Sequence, residues 1–136
     1  MPHAGFDVSG YPGEPMMRWL WRNTNLMWVG FYLAVEGPGY KDKKSWQGTF
    51  GLLKSMGWGV APIYVGKQPD SAKLRARRNQ ERLEGYKDGI EAASLAQAEQ
   101  MPEGTVLYFD YEPGDRMSES YLQYQTGWIE GVSAQG

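Results

Sequence analysis

The sequence contains no cysteine and a single histidine, His3, among its 136 residues. Disulfide bonds, thiolate metal ligands and cysteine nucleophiles are therefore excluded, and a zinc site is disfavoured because its usual ligands are missing. A Ser-His-Asp triad is also disfavoured, because His3 lies near the terminus, where chains commonly fray. We therefore expect no metal and no cofactor. A cysteine-free chain can occur inside or outside a cell, so the compartment stays open.

The sequence also lacks long apolar runs and a strong net charge. No run is long enough to span a bilayer, and the first residues lack the basic and apolar regions of a signal peptide. The 14 basic and 16 acidic side chains give a net charge of −2, which attracts neither nucleic acid nor an anionic membrane. We therefore expect no membrane span and no nucleic-acid partner. The length suits one domain over residues 1–136.

Four segments rich in β-branched and aromatic residues alternate with stretches of helical periodicity. This alternation is typical of repeated strand–helix units around a parallel sheet. The strands are predicted near residues 5–9, 27–33, 59–65 and 105–111. The sequence thus predicts an α/β protein of the (β/α) barrel, TIM-barrel-like type. About four units are present, whereas a complete barrel has eight strands and about 250 residues.

The helical stretches carry start and stop signals. Pro15 suits the first turn of the first helix, where its missing N–H costs nothing. Ser45 is predicted to cap a second helix that ends at Gly57. A long polar connection leads to a third helix with an apolar face between residues 86 and 96. Ser118 is predicted to cap the last helix.

A sheet of four strands leaves two edge strands without partners. Exposed edges favour pairing with another chain, because their N–H and C=O groups are unpaired. The sequence therefore predicts a truncated, assembly-dependent half barrel or a homodimer. The glycine-rich segments at residues 10–13 and 37–39 lack the motifs that cradle phosphate and are predicted as loops.

Two acidic residues stand together at the end of the fourth predicted strand. Side chains alternate faces along a strand, so Asp110 and Glu112 project on one side, at the end where barrel enzymes place their active sites. Like charges this close push their proton affinities apart, so that one carboxyl can act as an acid while its neighbour stays ionised. The alternative is an exposed turn without a function, because Pro113 and Gly114 follow directly.

Three further residues are predicted to share this end of the sheet. Asp7 ends the first strand, and the alternation of side chains places Tyr32 and Tyr64 near the ends of the second and third. A tyrosine ring can stack on a sugar while its hydroxyl group orients the ring. Both tyrosines also suit a half-buried position in the core, so the alternation alone leaves their role open.

Four segments together resemble a known family: residues 5–12, 29–33, 61–66 and 107–112. With residues 85–93, they are similar to the glycoside-hydrolase-like domain family of bacterial and phage cell-wall-associated proteins, which is related to the family 25 lysozymes. The similarity runs through nearly the whole chain and corresponds to the amino-terminal half of the barrel. Strands five to eight of that family have no counterpart in this sequence.

The resemblance implies roles for the three acids. It implies Glu112 as the general acid, Asp110 as the carboxylate that stabilises the oxocarbenium-like charge or orients the reacting group, and Asp7 as a supporting acid. The chain would then be a lysozyme-like glycoside hydrolase that acts on peptidoglycan or a related cell-wall polysaccharide, and a secreted or cell-wall-associated location would follow. An open half barrel equally suits a non-catalytic carbohydrate-binding module, because catalysis needs a preorganised site that controls water.

Overall fold

The computed structural model describes residues 3–35, 45–113 and 116–135. The elements in these ranges are, in chain order, β1 (Ala4–Phe6), α1 (Glu14–Asn23), β2 (Leu26–Val35), α2 (Phe50–Met56), β3 (Gly59–Val65), α3 (Ala72–Arg75), α4 (Glu81–Ala98), β4 (Tyr108–Phe109) and α5 (Glu119–Ala134). None of these helices combines the length and apolarity that crossing a membrane requires. The loop predicted at residues 37–39 and Gly114 of the predicted turn lie outside the described ranges.

The four strands form one parallel sheet in the order β1-β2-β3-β4. The sheet is curled like half of a barrel, so the α/β class with about four strand–helix units is confirmed. β3 coincides with its predicted range, and β2 is longer than predicted. β1 and β4 are shorter than predicted and have three and two residues. Both lie at the edges of the described sheet, where each strand has one neighbour to pair with.

The first and last helices follow the capping rules that predicted them. Pro15 occupies the first turn of α1, and Glu14 pairs with Arg18 one turn later, with 2.7 Å between the two charged groups. The Ser118 hydroxyl accepts a hydrogen bond from the Tyr121 N–H at the start of α5. The Ser118 hydroxyl thus pairs an N–H that the first turn of a helix leaves without a partner, and Pro15 has no N–H that would need one.

The second helix differs from the prediction at its start. α2 begins at Phe50, after Thr49, and residues 45–48 form a turn. The Ser45 hydroxyl accepts a hydrogen bond from the Tyr11 N–H at 2.8 Å, so it ties the chain that follows β1 to this turn instead of capping a helix. Gly57 ends α2 in the left-handed conformation, as predicted, with φ of 108°.

The polar connection after β3 contains one element that the sequence analysis missed. α3 spans Ala72–Arg75, and the Ser71 hydroxyl caps it by accepting from the Leu74 N–H. Leu74 is buried against Tyr121 and Tyr124 of α5. A single turn of helix with one buried side chain leaves too little periodicity to be recognised in a sequence.

Helices α4 and α5 pack with their backbones in close contact. A Cβ atom at Gly85 would lie 1.9 Å from the Tyr124 carbonyl oxygen, and one at Gly127 would lie 2.0 Å from the Arg82 carbonyl oxygen. One turn further on, Gly89 and Gly131 are equally crowded by the opposite backbone. The glycines at a spacing of four residues on both helices therefore set the distance between the helix axes.

The helices cover one face of the sheet and build the core there. The fully buried large side chains come from β2, β3, the helices and the segments on either side of α2: Met17, Val29, Phe31, Leu33, Trp46, Leu53, Trp58, Tyr64, Val65, Tyr121 and Tyr124. Burial of this apolar surface is the main force that holds the helices on the sheet. The opposite face of the sheet carries the cleft described next.

Candidate functional site

A cleft of about 580 Å³ lies on the face of the sheet that the helices leave open. Its lining consists of residues from all four strands or from the positions that directly follow them: Asp7, Trp28, Tyr32, Ala61, Ile63, Tyr108, Phe109 and Asp110. The register aligns Tyr32 with Ile63 and Ile63 with Tyr108, so these side chains form one row across the sheet. The parallel strands thus bring residues that are distant in sequence to one surface.

Gly30 makes room for an acidic residue at the floor of the cleft. A Cβ atom at Gly30 would lie 2.7 Å from the Asp7 Cβ and 2.7 Å from the Ile63 Cδ1. Any larger side chain would therefore push Asp7 away from the sheet. A glycine inside a strand often marks such a close approach.

Asp7 follows β1 and is held by Tyr32 of β2. The Tyr32 hydroxyl donates a hydrogen bond to Asp7 Oδ1 at 2.9 Å. Tyr32 is only 8% exposed, so its ring is packed while its hydroxyl reaches the acid. The structure therefore brings these two predicted site residues together, and Tyr32 orients Asp7.

Asp110 and Glu112 follow β4 at the same end of the sheet. The Asp110 N–H donates to the Tyr64 carbonyl at 3.0 Å, which continues the pairing of β3 with β4 by one residue. Burial raises the pKa of the Asp110 carboxyl, and the Glu112 charge, a hydrogen bond with Glu112 and the Asp7 charge raise it further. Asp110 thus interacts with both of the other predicted acids.

The raised pKa of Asp110 has a direct chemical consequence. Two carboxyl groups that share a hydrogen bond hold one proton between them more readily than two separate carboxylates would. Burial favours the protonated form of Asp110 by raising its pKa, while Glu112 is the more exposed partner. Asp110 is therefore suited to hold a proton, and the exposed Glu112 is suited to meet a ligand.

Two aromatic side chains rise at the rim of the cleft. Trp28 is 37% exposed and Tyr108 is 54% exposed. The Trp28 indole N–H donates to the His3 carbonyl at 3.1 Å, and its ring lies against Gly5, where a Cβ atom would come within 2.0 Å of it. The sequence analysis assigned no role to either residue. The sequence does indicate their orientation, because strand alternation puts Trp28 on the same face as Tyr32 and Tyr108 on the same face as Asp110.

Tyr64 lies on the opposite face of the sheet, so its predicted orientation is corrected. Its side chain is fully buried beside Phe109 and Trp128, and its hydroxyl donates to Glu91 of α4 at 2.7 Å. Ala61 and Ile63 occupy the cleft face of β3 instead. A ligand in the cleft therefore does not reach the Tyr64 ring.

The charged groups of the cleft are acidic. The described residues that line it include Asp7 and Asp110 but no lysine or arginine. Across the described part of the chain, no group of three or more histidine, aspartate or glutamate side chains is arranged to hold a metal ion. The arrangement suits proton transfer and the stabilisation of a positive charge, next to aromatic surfaces that can contact a sugar ring.

A comparison with protein-family models identifies a family for this chain. The model of the Rv2525c-like, glycoside hydrolase-like domain matches residues 20–136, which include Asp110, Glu112 and both rim aromatics but not Asp7. No curated protein and no solved structure matches the chain. Since the matched region is most of the sequence, the chain belongs to the Rv2525c-like, glycoside hydrolase-like domain family.

Proposed function

We propose that the cleft binds a polysaccharide and that the Asp110–Glu112 pair hydrolyses one of its glycosidic bonds. The observation that carries this proposal is the hydrogen-bonded carboxyl pair, with the raised pKa on Asp110, at the carboxyl end of a parallel strand. Membership of a glycoside hydrolase-like domain family supports a carbohydrate-related function. Peptidoglycan or a related cell-wall polysaccharide is the proposed substrate class, because the sequence resembles cell-wall-associated proteins.

The proposed chemistry is acid-assisted cleavage. The proton of the shared hydrogen bond moves from Asp110 to Glu112, the exposed partner. Glu112 passes it to the glycosidic oxygen while the bond from that oxygen to the sugar carbon breaks. The carboxylates of Asp110 and Asp7 then stabilise the positive charge on the sugar. Water adds to the sugar carbon, and its proton returns to the carboxyl pair.

The rim aromatics supply the proposed binding surface. Trp28 and Tyr108 flank the acids, and their exposed rings offer flat apolar faces on which sugar rings stack. We further propose that the curled sheet is the four-stranded part of a TIM-type barrel related to the family 25 lysozymes. In such barrels the active site lies at the carboxyl ends of the strands, where all three acids are found.

A non-catalytic carbohydrate-binding module is the second candidate. The open side of the cleft favours it, because a site that exposes its acids to bulk water loses part of the electrostatic stabilisation that catalysis needs. The same aromatic and acidic residues would then hold a glycan without cleaving it. The two candidate functions share a binding surface and differ in whether the glycosidic bond of the bound glycan is cleaved.

The first test compares the release of reducing ends from purified peptidoglycan by the wild-type chain and by Glu112→Gln. We expect the variant to lose about 10²- to 10⁴-fold in rate, the usual contribution of a general acid. Glu103→Gln is the matched control, because Glu103 is exposed in the connection before β4 and does not line the cleft. It should retain the wild-type rate.

The outcomes separate the candidates. Equal release by the wild type and Glu112→Gln would contradict the catalytic role of the pair. If the wild type releases nothing, calorimetric titration with peptidoglycan fragments decides whether the cleft binds glycan. Saturable binding that Trp28→Ala weakens would support the binding module, and absence of binding would rule out both candidates.

A further inference from the structure

The pairing between β3 and β4 changes character beside the acids. The last backbone bond joins the Asp110 N–H to the Tyr64 carbonyl at 3.0 Å. Along one strand of a parallel ladder the donors recur at every second residue, so the next donor on the β4 side would be the Glu112 N–H, bonded to the Gly66 carbonyl. The Glu112 N–H instead donates to Gln68 Oε1 at 3.0 Å, and Gln68 Nε2 donates to the Gly66 carbonyl at 3.1 Å. A side-chain amide thus stands where a ladder bond would be.

The same amide makes a third bond to this segment. Gln68 Nε2 also donates to the Asp110 carbonyl at 3.1 Å. Both N–H groups and the oxygen of the Gln68 amide are therefore used, and their partners fix the orientation of the amide. Two of the three bonds are made to the backbone on either side of Tyr111, at Asp110 and Glu112.

The backbone that carries Gln68 is itself held firmly. The preceding residue, Lys67, donates its N–H to the Tyr124 hydroxyl at 3.1 Å and accepts from the Tyr121 hydroxyl at 2.8 Å. Its ammonium group lies 2.6 Å from Asp88 of α4. These contacts tie the end of β3 to α4 and α5, so Gln68 extends from a fixed base.

We infer that Gln68 is a positioning residue, whose side-chain amide replaces one bond of the β3–β4 ladder and keeps Asp110 and Glu112 beside each other. Without the amide, the bond from the Glu112 N–H to Gln68 is lost, and the repulsion between two carboxylates favours their separation. The catalytic consequence rests on the proposed function, whereas the effect on the carboxyl pair does not.

The direct test is a carboxyl ¹³C NMR titration of Asp110 in the full chain and in Gln68→Met. Methionine has a similar size and shape but cannot make the three hydrogen bonds. Among the described residues, the titratable groups that act on Asp110 are Glu112, Asp7 and the Tyr121 phenol. If Glu112 moves away, its contribution disappears, and we expect the Asp110 midpoint to fall towards its ordinary value of 3.8.

A matched control and a second variant complete the titration. Gln97→Met replaces an exposed glutamine on α4 whose amide donates to the exposed Gln135 carbonyl and not to the segment of the acids, so the Asp110 midpoint should stay unchanged. If Gln68→Met does not fold, Gln68→Asn takes its place, because its amide is too short to reach both Gly66 and Glu112. An Asp110 midpoint equal to that of the wild type in a folded Gln68 variant overturns the inference.

A kinetic arm distinguishes this inference from the proposed function. If the wild type hydrolyses glycan, Gln68→Met should lower kcat by about 10- to 100-fold with little change in KM, because misplacing a catalytic group affects the reaction more than binding. If the wild type hydrolyses nothing, the proposed function fails and the titration alone decides the role of Gln68. A lowered midpoint then supports the positioning role, and an unchanged one removes it.

Discussion

At the scale of single residues, Asp110 connects the fold to the proposed chemistry. Its N–H takes part in strand pairing, while its carboxyl is partly buried next to two other acids. Burial and like charge both favour its protonated form, so they raise its pKa. The folded state therefore bears an electrostatic cost at neutral pH that a protein without this cluster would not have.

This cost predicts a pH dependence of stability. An acid whose pKa is raised binds its proton more tightly in the folded state than in the unfolded chain, where the value is 3.8. Between pH 3.8 and the higher pKa of the folded state, Asp110 is still protonated in the folded protein but ionised in the unfolded chain. The free energy of unfolding therefore decreases as the pH rises through this range. Asp110→Asn cannot ionise, and we expect it to lack this decrease. Urea unfolding below pH 3.8 and at neutral pH measures the difference.

Asp70→Asn is the control for this measurement, because Asp70 is an exposed acid on the connection after β3. Its free energy of unfolding should follow that of the wild type at both pH values. The stability of Asp110→Asn relative to the wild type should rise between the two pH values. A constant difference would show that the folded protein does not raise the pKa of Asp110.

The orientation of side chains was predictable from the sequence where one strand face was polar. In β4, Asp110 and Tyr108 alternate with Phe109, so the pattern indicated the cleft face correctly. In β3, both faces are apolar, and the pattern could not tell Ile63 from Tyr64. Gln68 carries no signal, because an isolated glutamine after a strand is ordinary until its three partners are known.

At the scale of elements, the contact between α4 and α5 depends on glycines that face the opposite backbone. A carbonyl oxygen cannot rotate away as the end of a flexible side chain can, so an added methyl group must move a whole helix. Gly85→Ala should therefore destabilise the chain by about 2 to 3 kcal/mol, as overpacking typically does. Chemical denaturation measures this loss.

Gly51→Ala in α2 provides the comparison, since a Cβ atom at Gly51 would meet nothing within 4 Å. Alanine favours a helix over glycine by up to about 1 kcal/mol, so this variant should be as stable as the wild type or slightly more stable. If Gly85→Ala were as stable as Gly51→Ala, the close packing of α4 and α5 would be contradicted.

The start of a helix was predictable where the capping residue bonds to a residue close to it in sequence. Ser118 caps α5 because its bond partner, the Tyr121 N–H, is three residues away and any serine at that position can make the bond. Ser45 has the same local pattern, but its hydroxyl bonds to Tyr11, 34 residues earlier. A long-range contact of this kind overrides a capping signal and cannot be recognised from neighbouring residues.

At the scale of the whole molecule, the described sheet has two edges, at β1 and β4. Exposed apolar side chains lie on or next to these strands, and Val106 is 64% exposed just before β4. Unpaired strand edges with apolar neighbours favour association. We therefore propose that two copies of the chain pair through these edges.

The class of the fold was predictable from alternating patterns, whereas the open cleft depends on the curvature of the sheet, which no local pattern encodes.

Sedimentation velocity over a range of concentrations tests the proposed pairing. We expect a dimer, and Val106→Lys should weaken it about tenfold or more, because lysine at an edge disfavours strand pairing. Ile129→Lys on α5 replaces another exposed apolar residue, 58% exposed and outside the strands, and should leave the dimer intact. A monomer at every concentration would rule out the dimer.

The glycine contacts between α4 and α5 also bear on how this fold can change over evolutionary time. Each glycine faces backbone atoms, so no substitution at a neighbouring position can make space for a larger residue. The walls of the cleft are side chains and can be exchanged one at a time. New ligand preferences can therefore arise by stepwise change at the cleft, while the helix pair behind it stays confined to a narrow set of sequences.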